Sequence, residues 1–221
     1  MQIGVIGTGN IGGTLGKALA RAGHQVTLGS RHPQDASATD DSVDATHDSA
    51  DATDGSADAT DGAGSTGDVR VADVATALED AEVVLLALPA GAVDGFLAEH
   101  AAALADKLII DATNRIGAPV ANAAEQIAAA VPNARYARAF NTLGWENFAD
   151  PVFDGVPADL FFSCARGDRS MVEELISAVG LQPAYLGEGK QDVVDGVLPL
   201  WFALVQANDG NRRVAFRVLR K

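Results

Sequence analysis

The sequence predicts an α/β fold, a doubly wound Rossmann-type parallel sheet followed by a small C-terminal α+β domain. Three observations carry that expectation. Apolar strands and amphipathic helices alternate from the first residues to about Phe140, and such alternation implies right-handed crossovers with helices on both sheet faces. The run Glu82–Leu88 (EVVLLAL) is almost continuously apolar, as expected of a strand covered on both sides. Gly7-Thr8-Gly9-Asn10-Ile11-Gly12 fits G-x-G-x-x-G between the first strand and the first helix.

The elements follow in order. Gln2–Ile6 is a short apolar strand, and Asn10–Arg21 carries Ile11, Leu15, Ala18 and Leu19 at helical spacing. Ala22-Gly23 ends that helix and Gln25–Leu28 returns as a strand. Val69–Val71 reads as a short strand, with Asp73 capping a helix through Leu78. Gly91–Leu104 reads as helix, Lys107–Asp111 as strand, Pro119–Ala130 as an alanine-rich helix with Pro in its first turn, and Arg135–Phe140 as strand. From about Ala149 the pattern changes. Leu160–Ala165 and Pro183–Leu186 read as strands flanking a helix over Arg169–Val179. A long helix is expected from Lys190, with Val193, Val194, Val197, Leu198, Trp201, Leu204 and Val205 in one wide apolar arc and a kink at Pro199. That arc is too wide to face water and calls for burial against the nucleotide domain, a partner subunit, or both. The expected division is therefore 1–148 for the nucleotide domain and 149–221 for the C-terminal one.

Composition narrows the classes. A chain of 221 residues holds one large domain or one domain plus an appendage. Its single cysteine, Cys164, excludes an intrachain disulfide and a multi-cysteine metal site. A formal net charge of −14 argues against nucleic acid as partner. The apolar strand begins at Ile3 without a basic leader, and the longest uncharged apolar run, Val83 to Val93, is far shorter than a membrane span. A cytoplasmic protein with no membrane contact is the expectation.

Ten of the aspartates lie between Asp35 and Asp68, a stretch with no Lys or Arg, so the remainder carries a formal charge of only −4. Asp-Ala-Thr recurs there every seven residues, yet no large apolar residue occupies a coiled-coil seam. Residues 33–68 read as a solvated insertion. Its Asp-Gly pairs lack the alternating ligands of a calcium loop, and no metal site is expected. Asp outnumbers Glu 22 to 8 and only four lysines occur, a bias that suits a halophilic host, where salt screens acidic self-repulsion.

The glycine loop marks a dinucleotide site. Its first glycine permits the tight turn, its second lets backbone approach a pyrophosphate, and its third lets helix and strand pack closely. The helix N-terminus supplies free N–H groups. The second strand ends Leu28-Gly29-Ser30-Arg31-His32, without the acid that would take the ribose of NAD. Ser30 can donate to a 2′-phosphate and Arg31 can pair with it, so NADP is the expected nucleotide. His32 either stacks on the adenine or faces solvent. Ala87-Leu88-Pro89, Asp111–Asn114 and Ala139–Trp145 are the other strand ends. There Asn114, Asn141 and Thr142 either hold the nicotinamide carboxamide or an acceptor, or simply cap turns.

The runs GTGNIG, LGSRH, LLALP and ARAFNTLGWENF, with GLQPAYLG and the LPL of Leu198–Leu200, resemble the coenzyme F420-dependent NADP oxidoreductase family. The resemblance spans nearly the whole chain apart from the acidic insertion. It implies a nucleotide domain and a small C-terminal domain with NADP and the deazaflavin meeting in the cleft between them, and a homodimer. It also implies that Thr8–Ile11 hold the pyrophosphate and Ser30-Arg31 the 2′-phosphate, that Leu88 walls the nicotinamide, and that the Asn141–Trp145 loop lines the deazaflavin side. Phe-Asn-Thr also occurs in relatives with other electron acceptors, including the reductase domains of membrane ferric reductases.

Hydride passage between two such rings needs stacking and exclusion of water rather than a protein acid or base. Consistent with that, no catalytic residue stands out. His24, His47 and His100 read as structural or solvent-facing, Cys164 as a small core residue, and Asp192 and Asp195 as a solvated helix face. The competing readings are NADPH reduction of another acceptor, a flavin, ferric complex or imine, and a non-catalytic NADP-binding sensor.

Overall fold

The computed structural model describes residues 1–33 and 69–219. The reading of 34–68 as a solvated acidic insertion, with His47 inside it, lies outside the described residues. β1 (Gln2–Ile6), α1 (Asn10–Arg21), β2 (Gln25–Ser30), β3 (Val69–Asp73), α2 (Val74–Glu79), β4 (Val83–Leu86), α3 (Val93–His100), β5 (Leu108–Asp111), α4 (Ala124–Ala130) and β6 (Arg135–Arg138) build the first part. The second comprises α5 (Glu146–Ala149), the hairpin β7 (Val152–Phe153) and β8 (Val156–Pro157), then β9 (Asp159–Cys164), α6 (Arg169–Ala178), β10 (Gln182–Tyr185), α7 (Gln191–Asp195) and α8 (Val197–Ala207).

One eight-stranded sheet runs through both parts in the order β10-β9-β6-β5-β4-β1-β2-β3. Every neighbouring pair is parallel except β6–β9, where Ala137 opposes Cys164 and Arg138 opposes Ser163. The C-terminal strands thus extend the nucleotide sheet past β6 with reversed direction. Because the pairs β1–β2, β1–β4, β4–β5 and β5–β6 are parallel, the carboxyl ends of β1, β2, β4, β5 and β6 share one side of the sheet, and the chain order reverses there between β1 and β4, the point at which open α/β sheets bind ligands.

Two cores flank the sheet. Val5, Val83, Leu85, Leu108 and Ile110 pack with α1, α6 and α8 on one face. Ile6, Val84, Leu86 and Ile109 pack with α2, α3 and α4 on the other. The central strands β4 and β5 are buried throughout, which explains their unbroken apolar sequence. Asp73 caps α2 as expected, accepting from Thr76 N at 2.7 Å, and this bond holds its carboxyl below the usual range.

Three expected elements differ. The helix over Pro119–Ala130 is present only from Ala124. Upstream, Asp111 Oδ2 accepts from Ala123 N at 2.7 Å and Asn122 Oδ1 from Ala124 N at 3.1 Å. The buried carboxylate therefore fixes the helix start and leaves 115–123 as a loop. The strand through Phe140 stops at Arg138, because Phe140 turns to φ +59°. The long helix from Lys190 is two helices meeting at Gly196. Pro199, three residues into α8, has no N–H to bond Asp195 O, so the ladder breaks there rather than kinking at Pro199. Within the arc, Val194, Leu198, Trp201 and Val205 are buried, with Trp201 Nε1 donating to Val214 O at 2.7 Å, whereas Val193 and Leu204 remain exposed, as does Leu200 outside it.

The segment 211–219 runs back over the sheet. Phe216 bridges to Asp159, Arg212 pairs with Glu146 at 2.5 Å, and Arg213 pairs with Asp150 at 2.6 Å. The tail is thus fastened to α5, to Asp150 just after it, and to the start of β9. Among the described residues no helix is long and apolar enough to cross a membrane, and no cluster of side chains is arranged to hold a metal ion.

Candidate cofactor site

The glycine loop lies at the carboxyl end of β1. Gly7 has φ +113°, and a Cβ there would stand 2.4 Å from Ala87 O. A Cβ at Gly12 would stand 1.9 Å from Gly7 O, so only hydrogen lets α1 approach its own loop so closely. Gly9 differs. It has ordinary extended backbone, φ −69° and ψ −173°, and among the described residues nothing lies within 4 Å of a Cβ built on it. Thr8, Gly9 and Asn10 are exposed. Gly9 offers α1 no side-chain cap and the first turn carries no acid, so the orphan N–H groups and the positive helix end stay available to an anion. An open cradle bounded by two sterically required glycines fits a pyrophosphate.

Ser30 closes β2. Its Oγ accepts from His32 N at 3.1 Å, which leaves the hydroxyl proton free to donate outward. Arg31 and His32 are exposed beside it. Leu88 is half-buried against the apolar core and Pro89 is exposed, both just past β4. Asn114 follows β5, and Asn141 and Thr142 follow β6. Trp145, half-buried, precedes α5. Gly7–Gly9, Ser30–His32, Leu88, Pro89, Asn114, Asn141 and Thr142 thus lie at or just past the carboxyl ends of parallel strands, while Asn10, Ile11 and Gly12 open α1.

At the ends of β5 and β6 the structure holds a buried polar network that the sequence reading missed. Arg138, fully buried, donates from Nη1 to Asp111 O (3.0 Å) and Thr113 O (2.6 Å), from Nη2 to Asn114 Oδ1 (2.9 Å), and from Nε to Asp195 Oδ1 (2.7 Å). Its Nη1 also lies 3.3 Å from Asp111 Oδ1. The other side of Asp111 accepts from Tyr136 Oη at 2.9 Å, and burial together with that charge pushes the Tyr136 hydroxyl far above its ordinary range. Asp195 also accepts from Asn141 Nδ2 (3.2 Å) and Asn122 Nδ2 (2.7 Å). The expectation that Asp195 lies on a solvated helix face is therefore wrong: its side chain is 12% exposed and is a counter-charge of Arg138. Asp192 is exposed, with Asn122 Nδ2 at 3.5 Å.

Four buried side-chain atoms have no partner among the described residues, and three belong to one short segment: Asn141 Oδ1, Thr142 Oγ1 and Glu146 Oε2. Buried polar atoms are rarely left so, and their gathering at a strand end fits a polar ligand group. The segment enters through Phe140, whose left-handed backbone is an outlier for a bulky residue and whose ring meets Phe148 edge-on at 5.9 Å. Strain of this kind gathers at ligand sites. Cys164 is buried away from the loop, and burial pushes its thiol up to about 12.

Residues 2–115, just over half of the chain, match the NADP oxidoreductase, coenzyme F420-dependent, family. The chain belongs to that family. A structure from Arthrobacter sp. FB24, described provisionally as an F420-dependent NADP reductase, superposes over 100% of both chains with a TM-score of 0.76 and 25% identity. A reductive aminase of Aspergillus terreus, solved with NADPH and ethyl levulinate, shares the fold at 18% identity and a TM-score of 0.64, over 95% of this chain and 62% of that one. Among curated proteins, a glycerol-3-phosphate dehydrogenase [NAD(P)+] of Corynebacterium glutamicum is 29% identical over 88% of this chain. The chain spans about half the length of that relative, 54%. The F420-dependent family and these neighbours are NAD(P)-dependent oxidoreductases, and the cofactor edge described above is where such a fold takes its nucleotide.

Proposed function

We propose that the protein transfers hydride between NADP(H) and the deazaflavin coenzyme F420. The observation that carries this reading is the end-to-end superposition on the Arthrobacter protein, because the acceptor side of the chain is included in it. The nicotinamide supplies the hydride and the deazaflavin receives it; the protein sets their distance and excludes water.

In this reading Gly7, Thr8, Gly9, Asn10, Ile11 and Gly12 hold the pyrophosphate on the start of α1. Ser30 donates to the 2′-phosphate, Arg31 pairs with it, and His32 lies over the adenine. Leu88 and Pro89 wall the nicotinamide. Asn114, Asn141 and Thr142 serve its carboxamide, which presents one N–H donor group and one carbonyl acceptor. Thr142 Oγ1 and Asn141 Oδ1 belong to consecutive residues, have no partner among the described residues and are of complementary polarity. Trp145 and the residues after it face the acceptor, with 149–221 covering that side. The exposed Val193, Leu200 and Leu204 are the contact of a homodimer. The balance is one hydride from NADPH, which leaves NADP+, and one proton taken up from solvent by the reduced deazaflavin, so the reading assigns no side chain as acid or base.

The test is optical. Purified protein mixed with NADPH and oxidised F420 in molar KCl should bleach the visible band of the deazaflavin, and NADH should scarcely do so. Tight NADPH binding without bleaching refutes F420 as acceptor and directs the search to flavins, ferric complexes and imines. Binding with no turnover of any acceptor indicates a sensor.

A further inference from the structure

We propose that Asp195 is a positioning residue that fixes which end of the Asn141 amide faces the nicotinamide. This rests on the reading of Asn141 as a carboxamide partner. A carboxylate can only accept hydrogen bonds, so the 3.2 Å contact from Asn141 to Asp195 Oδ1 must come from Nδ2. Asn141 Oδ1 is then turned the other way, buried and without a partner among the described residues. The same Asp195 oxygen is itself held, since it accepts from the fully buried Arg138 Nε at 2.7 Å. Arg138 sets the neighbouring amide by the opposite logic. A guanidinium can only donate, so Asn114 presents Oδ1 to it and Nδ2 to Asn141 O, at 3.0 Å.

The chain runs from a charge on α7 through Arg138 and two amides whose polarity leaves no choice. Its product is an acceptor with no partner among the described residues, on the residue before Thr142, whose hydroxyl likewise has none there. A primary amide is the group that satisfies both, donating to Asn141 Oδ1 and accepting from Thr142 Oγ1. A methyl ketone of the same shape satisfies only the second and leaves Asn141 Oδ1 facing a methyl group. The α7 helix therefore selects for the N–H of the carboxamide without touching it.

The experiment measures affinity, not turnover. Dissociation constants are determined for NADP+, for its 3-acetylpyridine analogue, and for adenosine 2′,5′-bisphosphate, which lacks the nicotinamide end. The wild-type protein should prefer NADP+ over the analogue about tenfold. Asp195→Ala should bring that preference to within about twofold, because the Asn141 amide becomes free to turn, while affinity for the bisphosphate is unchanged. Asp195→Asn should retain the preference, since its Oδ1 stays anchored to Arg138 Nε and still accepts from Asn141. Asn141→Leu should abolish it. Arg138 keeps Asp111 O, Asp111 Oδ1, Thr113 O and Asn114 Oδ1 when Asp195 is truncated, and Asp195→Ser gives the same readout should the alanine variant not accumulate. Tight NADP+ binding with no preference in the wild type overturns the proposal, as does a tenfold preference surviving in Asp195→Ala. A wild type that binds neither NADP+ nor the bisphosphate overturns the nucleotide reading itself.

Discussion

Gly9 and Gly12 separate what the glycine loop does for the fold from what it does for the ligand. At Gly12 an alanine Cβ would sit 1.9 Å from Gly7 O. Ordinary contact begins near 3.4 Å, so helix and loop must part by about 1.5 Å, an overpacking that costs about 1–3 kcal/mol. At Gly9 no described residue lies within 4 Å and the backbone is one that any residue adopts. Gly9→Ala therefore costs only the poorer N-cap, about 1 kcal/mol, or about 2–4 °C in Tm for a chain of this size. If the empty space is where a pyrophosphate lies, the added methyl collides with the cofactor instead. Thermal melts with and without NADPH, together with titration calorimetry, measure both effects. Gly9→Ala should stay folded and lose more than tenfold in NADPH affinity, whereas Gly12→Ala should lose stability and binding together. A Gly9→Ala protein that binds NADPH within twofold of wild type would refute this use of the loop.

Four further outcomes follow from the same geometry. Arg31→Ala should weaken NADPH binding by about 1.5 kcal/mol, the low end for a charged pair because Arg31 is exposed, and leave NADH within twofold; equal loss for both would make Arg31 structural. Arg138→Ala should destabilise the protein by about 3–5 kcal/mol, read from the urea midpoint, because it strips the counter-charge from Asp111 and Asp195 in a buried site. The raised Cys164 thiol binds its proton more tightly folded than unfolded, so stability should fall as pH rises above about 9 towards 12, and Cys164→Ala should flatten that fall. The acidic bias predicts that transfer from molar KCl to dilute buffer lowers activity and near-UV circular dichroism; no change would count against a halophilic host.

Much of this arrangement was readable from local sequence. Gly7, Gly9 and Gly12 follow an apolar strand and open an amphipathic helix, and that context alone fixes the loop. Asp73 three residues before Thr76 announces its cap. The strand ends at Leu88, Asn114 and Asn141 follow from the apolar runs that precede them. What escaped is non-local. Arg138 lies in a strand flanked on both sides, and a charge there demands a buried partner, which could have been inferred. That the partner is Asp195, 57 residues on, could not, because Asp192 and Asp195 look like a solvated face until α7 folds over β6 and β9. The late start of α4 has the same origin, since its first N–H groups are met by Asp111 and Asn122 rather than by a cap beside Pro119. Gly196 and Pro199 were both visible, yet the break falls at Gly196, where the bond missing at Pro199 would have closed the turn.

In the proposed function, hydride passes directly from NADPH to the deazaflavin within one site. This transfer is tested most directly with NADPH carrying deuterium at the transferring position of C4, followed by mass spectrometry of the reduced F420. Direct transfer leaves the deuterium in the reduced deazaflavin, at a carbon that does not exchange with water. Reduction of F420 with the label lost to solvent, or no reduction by a protein that holds NADPH tightly, would contradict it.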